Sequence, residues 1–425
     1  MKQRNLILGE RIMYANGETP VNCVFTARLR GHLTRESLRC ALDRVQSKHP
    51  LLQAGIHEDR RGRPYFVSNG KVSPIPIKLI DRISEDDWLA VSETEWKNPF
   101  DLKQGPLFRL IWIHGIMVSE LLLVSPHCIS DGMSCITLLR EILSLLDQPD
   151  QAMPPYKVFN HVRDMIPPSV LKKKGNQFKT TLLSFFARIL FSIKPPPKFA
   201  AAGKDYVVHW KLNGKVSGLL EERCRTEGVS VYAALCVAFL EGFVRVKKER
   251  GHNKLLCPVN IRKMIPAIKD DMMFAFAPII ELSVAGDARA NFWSKARQLK
   301  KDITQKVAAL NGYDILLSGE HFHPSVKKLV KHLMTDEGGH DFTFSNLGRL
   351  NIPTDYRSFK LETIYSLTVA FPWRNPNTLF VSSFNGQMDF TFMSNTHSLS
   401  YEDAIEFKGK GLARLLEELA TVKAF

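Results

Sequence analysis

The stretch Pro126-His127-Cys128-Ile129-Ser130-Asp131-Gly132 constrains this chain more than any other. It follows the apolar run Leu121–Val124, and Met133-Ser134-Cys135-Ile136-Thr137-Leu138-Leu139 then begins a pattern of helical period. A strand ending at His127, a tight polar loop and a helix from near Met133 are therefore expected. Such a junction delivers an imidazole to the mouth of a loop, where a substrate can reach it. Gly132 is expected to allow a backbone turn that a β-carbon would hinder. A neutral imidazole suits proton transfer because its ordinary pKa lies near working pH. His127 is the candidate general base, with Asp131 at a fixed short offset.

Other strings frame this motif. Val21–Leu29 alternates and is rich in β-formers, Gly31 breaks it, and Thr34 is placed to cap a helix that Pro50 ends. Leu6-Ile7-Leu8 also reads as strand. Pro99-Phe100-Asp101-Leu102 and Gly105-Pro106-Leu107-Phe108-Arg109 precede two strands, Leu107–His114 and Glu120–His127, that form a hairpin presenting His127. Leu255–Arg262 reads as a buried strand ending in a polar pair, and Asp341–Arg349 as another ending in Ser345-Asn346-Leu347-Gly348. Asn385-Gly386 joins the strands of a further hairpin.

These strings together resemble the chloramphenicol acetyltransferase-like superfamily, which includes peptide-synthetase condensation domains and polyketide-associated or alcohol acetyltransferases. The resemblance rests on H-x-x-x-D-G at His127, Asp131 and Gly132. It extends to Arg28-Leu29, Gly31 and Leu33, to His49-Pro50 and Leu52, and to Pro258–Arg262 and Ser345–Gly348. It covers nearly the full length. Two departures stand out. Pro126 occupies the place where condensation domains usually carry a second histidine, and the plant-type D-F-G-W-G string is absent.

The resemblance implies an α+β fold of two-layer sandwiches, with two related subdomains and the active site in a tunnel between them. It implies transfer of an acyl group from a coenzyme A or acyl-carrier-protein thioester to a hydroxyl, or an amine, of a lipid, polyketide or other small acceptor. His127 would be the base, and attack would be direct, without an acyl-enzyme. Asp131 would point away from the site to pair with Arg262 and hold the loop. Ser345 and Asn346 would line the tunnel near the developing oxyanion, or else cap a strand end. The alternative reading is an inactive platform that binds carrier proteins or synthetases. His49 reads as structural, at a helix end.

The chain has 425 residues, more than one ordinary core accommodates. Residues 1–165 are expected to form a first subdomain, 166–204 a proline-punctuated connection, and 205–425 a second. Thr181–Ile193 reads as a greasy helix that packs against the domains or makes peripheral membrane contact. No signal-peptide core leads the chain, which points to the cytoplasm. Seven scattered cysteines without a C-x-x-C pair point to reduced, buried thiols, with Cys128 as packing and not a nucleophile. The net charge of +15 suits an acidic or phosphorylated donor, or is a plain solvated surface. No nucleic-acid-binding signature accompanies it. No metal or redox cofactor is expected, since His321, His323 and His332 lack further ligands at suitable spacing. A monomer is expected.

Overall fold

In a computed structural model, residues 4–68, 72–171, 203–284 and 290–420 are described. Two large mixed sheets, each backed by helices, account for the architecture. In the first, the order is Phe359–Ile364, Asn22–Gly31, Val118–Pro126, Arg109–His114 and Ile77–Asp81, with Thr368–Val369 also pairing Asn22–Gly31. In the second, it is Ile279–Ser283, Lys254–Pro258, Phe342–Arg349, Thr378–Phe384, Gln387–Asn395 and Asp205–Leu212. A small third sheet joins Arg4–Asn5, Pro64–Val67 and Gly55–Glu58.

Local sequence explains most elements. Thr34 caps the helix Arg35–Lys48, its hydroxyl accepting from Ser37 N at 3.1 Å. Asn385 and Gly386 both take positive φ (47° and 74°), as the tight hairpin turn between Thr378–Phe384 and Gln387–Asn395 requires. Leu121–Val124 is buried throughout, so this strand is covered on both faces. The Pro99–Leu102 and Gly105–Arg109 strings meet in space. The Arg109 guanidinium lies 4.0 Å from the Phe100 ring centroid, and its Nη2 donates to Asn98 O at 2.7 Å.

Two local expectations are corrected. Among the described residues near the amino end only Arg4–Asn5 is strand, and Leu8 enters the helix Leu8–Met13. The Glu10 carboxylate accepts from Ile7 N at 2.8 Å and pairs with Arg4 at 2.9 Å, so a local cap overrides the short apolar run. The strand at 255–262 ends at Pro258, and Arg262 opens a short 3-10 turn. There the Asn260 side chain accepts from Arg262 N at 3.0 Å and bends the chain. Of the cysteines, Cys40 is exposed and the other six are buried.

The two sheets are not separate along the chain. After Arg349 the backbone leaves the second sheet, adds Phe359–Ile364 to the first, and returns at Thr378. A division at 205 therefore cuts through the first core, which also holds Leu350, Leu361 and Val369. The expected helix 181–193 lies outside the described residues. Among the described residues, no single helix is long and apolar enough to cross a membrane.

Gly31 sits where the crossing strand docks. Its φ is +134°, and a β-carbon there would approach Ser358 O to 2.4 Å. Gly31→Ala should lower stability by about 1–3 kcal/mol, the usual cost of a strained backbone position. Urea unfolding of the two proteins measures this, and equal midpoints would refute the role assigned to the glycine.

Candidate active site

His127 ends the strand Val118–Pro126, and its backbone N–H donates to Val21 O at 2.7 Å. Its Nδ1 lies 2.8 Å from Ser130 O. A carbonyl can only accept, so Nδ1 carries the proton and Nε2 presents its lone pair. Nε2 makes no hydrogen bond among the described residues. Ser130 is itself fixed by a 2.6 Å hydroxyl contact with Ser125. Burial pushes the imidazole pKa below its ordinary 6.5, outweighing the opposing hydrogen bond to Ser130 and the charge of Asp131. The ring is therefore neutral near pH 7. Phe371 packs against it, with ring centroids 5.7 Å apart.

Asp131 does not face the imidazole nitrogen. It caps the helix Gly132–Asp147, its Oδ1 accepting from Ser134 N and Ser134 Oγ, both at 2.9 Å. The structure brings Arg262 to it as a two-pronged partner, with Nη1 to Oδ2 at 2.6 Å and Nη2 to Oδ1 at 2.8 Å. Arg262 is 1% exposed and also donates to Ser134 Oγ and Phe274 O, each at 3.1 Å. Burial alone would raise the Asp131 pKa. The Arg262 charge and hydrogen bonds, with those of Ser134, outweigh it and hold the group below 3.8.

Gly132 has an ordinary backbone, so the expected turn is not its reason. A β-carbon there would meet Leu347 Cδ2 at 2.3 Å. The requirement is the close approach of the strand Phe342–Arg349, which comes from the second sheet. Ser345 is half-buried and lies on the same strand, two residues before Leu347. Asn346 is exposed and spends its side-chain oxygen on Gly348 N at 2.8 Å, in a strand irregularity. Burial pushes the Cys128 thiol far up, leaving it protonated. His49 is fully buried, 2.7 Å from Glu141, which also pairs with Lys48 at 2.6 Å.

Sequence reading passed over Ser134, which joins Asp131, Arg262 and Phe274. The D-x-x-S spacing of a capped helix was its available signal. Leu347 as the partner of Gly132, and Phe371 as the neighbour of His127, carry no local signal, since both contacts are long-range.

The family model described as Condensation domain matches residues 13–240. Chondramide synthase cmdD of Chondromyces crocatus is 25% identical over 234 residues, which is 51% of this chain and 6% of that protein. Nonribosomal peptide synthetase dtxS1 of Metarhizium robertsii is 27% identical over 233 residues, 50% of this chain and 3% of that protein. The chain thus spans a few per cent of the length of these relatives. Among solved structures, the trichothecene 15-O-acetyltransferase TRI3 of Fusarium sporotrichioides superposes with a TM-score of 0.74 at 14% identity, covering 98% of this chain and 95% of that one. Polyketide synthase associated protein 5 of Mycobacterium tuberculosis gives 0.65 at 16% identity, covering 99% and 98%.

Removing Arg262 strands a carboxylate in a site built for a pair. Arg262→Ala should cost about 3–5 kcal/mol, read by chemical unfolding. The Asp131 pKa is lower folded than unfolded, so its stabilisation is complete above pH 3.8 and is lost as pH falls through the lower folded value. Asp131→Asn should accordingly flatten the loss of stability below about pH 4. An unchanged acid limb would contradict this.

Proposed function

The chain belongs to the condensation-domain family, and from that premise we propose that it is an acyltransferase using a coenzyme A or carrier-protein thioester. The acceptor is a hydroxyl of a small or lipid-like molecule, and His127 is the general base. The observation that carries this reading is the tautomer of His127, protonated at Nδ1 by its bond to Ser130 O and open at Nε2. The O-acetyltransferase activity in the name of TRI3 supports a hydroxyl acceptor, and Pro126 in place of a second histidine separates this motif from that of typical peptide-forming domains.

The acceptor hydroxyl lies within hydrogen-bond reach of Nε2, gives it the proton, and its oxygen bonds the thioester carbon. The carbonyl electron pair moves to oxygen, forming a tetrahedral oxyanion. As that pair returns, the carbon–sulfur bond breaks. The departing thiolate then takes the proton from the imidazolium, and an ester and a thiol leave. Asp131 takes no proton in this scheme. It acts with Arg262 as a positioning pair that fixes the loop, and Ser345 is proposed to face the developing oxyanion.

Acetyl-CoA and an acylated carrier protein, each offered with alcohol acceptors, test this by release of free thiol. His127→Ala should lower kcat about 10²–10⁴-fold with the fold intact. Because the base must be neutral and its pKa is lowered, kcat/KM should stay level down to pH 6.5 and fall only below it. Turnover unaffected by His127→Ala would end the proposal.

A further inference from the structure

The ring of His127 is bordered by Phe371, and further large apolar side chains that folding leaves half-buried lie on Phe371 and along the motif loop. Phe371 packs on the imidazole, and Trp373 lies nearly parallel to Phe371, at 6.2 Å between centroids and 13° between planes. Leu347 presses on Gly132, and Met133 follows it in the chain. All four belong to the half-buried fringe of the first core. Apolar groups of this size are ordinarily covered or scattered singly, and here Phe371 adjoins the base that the mechanism uses while the others adjoin Phe371 or the motif loop.

The aromatic pair is held from both ends. On one side Val369 pairs with Cys23 in the first sheet. On the other, Arg374 N donates to Leu333 O at 2.8 Å, and the Arg374 guanidinium is engaged by Glu337 at 3.3 Å. Asn375 Nδ2 donates to His340 O at 2.9 Å. The segment 370–375 is thus a braced platform, and its nearby cation already has a partner. A hydroxyl within hydrogen-bond reach of Nε2 has to lay its own carbon skeleton on this surface.

We propose that Phe371 and Trp373, with Leu347 and Met133, form the acceptor wall and select a bulky apolar alcohol, cyclic or aromatic next to the reacting hydroxyl. This rests on the acyl-transfer reading and narrows its acceptor class. Phe371 and Trp373 act as specificity residues and supply no proton. Burial of an aromatic or alicyclic face against them is favourable in proportion to the apolar area covered, whereas a polyol loses hydration there without gaining partners.

The test compares 1-indanol, cyclohexanol, ethanol and glycerol with acetyl-CoA, for the full chain and for Phe371→Ala, Trp373→Ala and Trp373→Phe. In wild type, kcat/KM should rank 1-indanol and cyclohexanol above ethanol, and ethanol above glycerol. Each alanine variant should raise KM for 1-indanol about tenfold more than it raises KM for ethanol, the loss of one aromatic contact. Trp373→Phe should restore most of the preference, which a merely structural role would not do. Calorimetric titration with 1-indanol supplies an arm independent of turnover. Saturable binding that Phe371→Ala abolishes sustains the wall even where no thioester is consumed, an outcome that defeats only the acyl-transfer reading. An unchanged 1-indanol to ethanol ratio in both alanine variants, or a wild-type preference for glycerol, overturns the wall and leaves acyl transfer standing.

Discussion

The ion pair between Asp131 and Arg262 is the constraint on which the rest of the site depends. Arg262 comes from the chain just beyond the strand Lys254–Pro258 of the second sheet, and Asp131 from the loop that ends a strand of the first. The pair is nearly dry, so each charge is tolerable only because the other is there. It also uses every acceptor position of the carboxylate that matters, between the guanidinium, the Ser134 hydroxyl and the helix N-terminus. A carboxylate so engaged cannot relay charge to a histidine.

That division of labour shapes the imidazole proposed as base. His127 is oriented by a neutral carbonyl, Ser130 O, which fixes its tautomer and raises its pKa by less than burial lowers it. Desolvation then dominates and keeps the ring unprotonated. The acid in the motif thus secures the loop's shape, while the loop's own backbone orients the imidazole. Lys48 adds a second tie between the halves, its ammonium 2.6 Å from Glu141 and 2.8 Å from Asp271.

The crossing segment closes the arrangement. Phe359–Ile364 binds the first sheet through its backbone, and the chain that follows carries Phe371 to the imidazole and Trp373 to Phe371. A strand donated from one half to the other's sheet fixes its position by register, because a slip of one residue would turn its apolar side outward. The same geometry places Leu347 over Gly132, so the space that this glycine keeps clear is set by the opposite half.

Much of this was legible in the residues alone. The strand, loop and helix around His127, the Thr34 cap, the Asn385-Gly386 turn and the two-layer fold class follow from local pattern and from strings that recur together. Hydrophobic period and capping chemistry act over a few residues, so they survive without knowledge of the fold. What the tertiary structure alone decided is everything that needs two distant stretches to meet. The strand crossing at 359–364 has no signature of its own, since an alternating strand says nothing about which sheet it joins. The contact with Leu347 that makes a β-carbon at Gly132 intolerable, the tie of Ser134 to Arg262 and Phe274, and the aromatic surface at Phe371 and Trp373 arise in the same way. The sequence determined which groups could do chemistry, because reactivity belongs to the side chain. The fold decided which face each other, because that is settled by packing between segments more than a hundred residues apart.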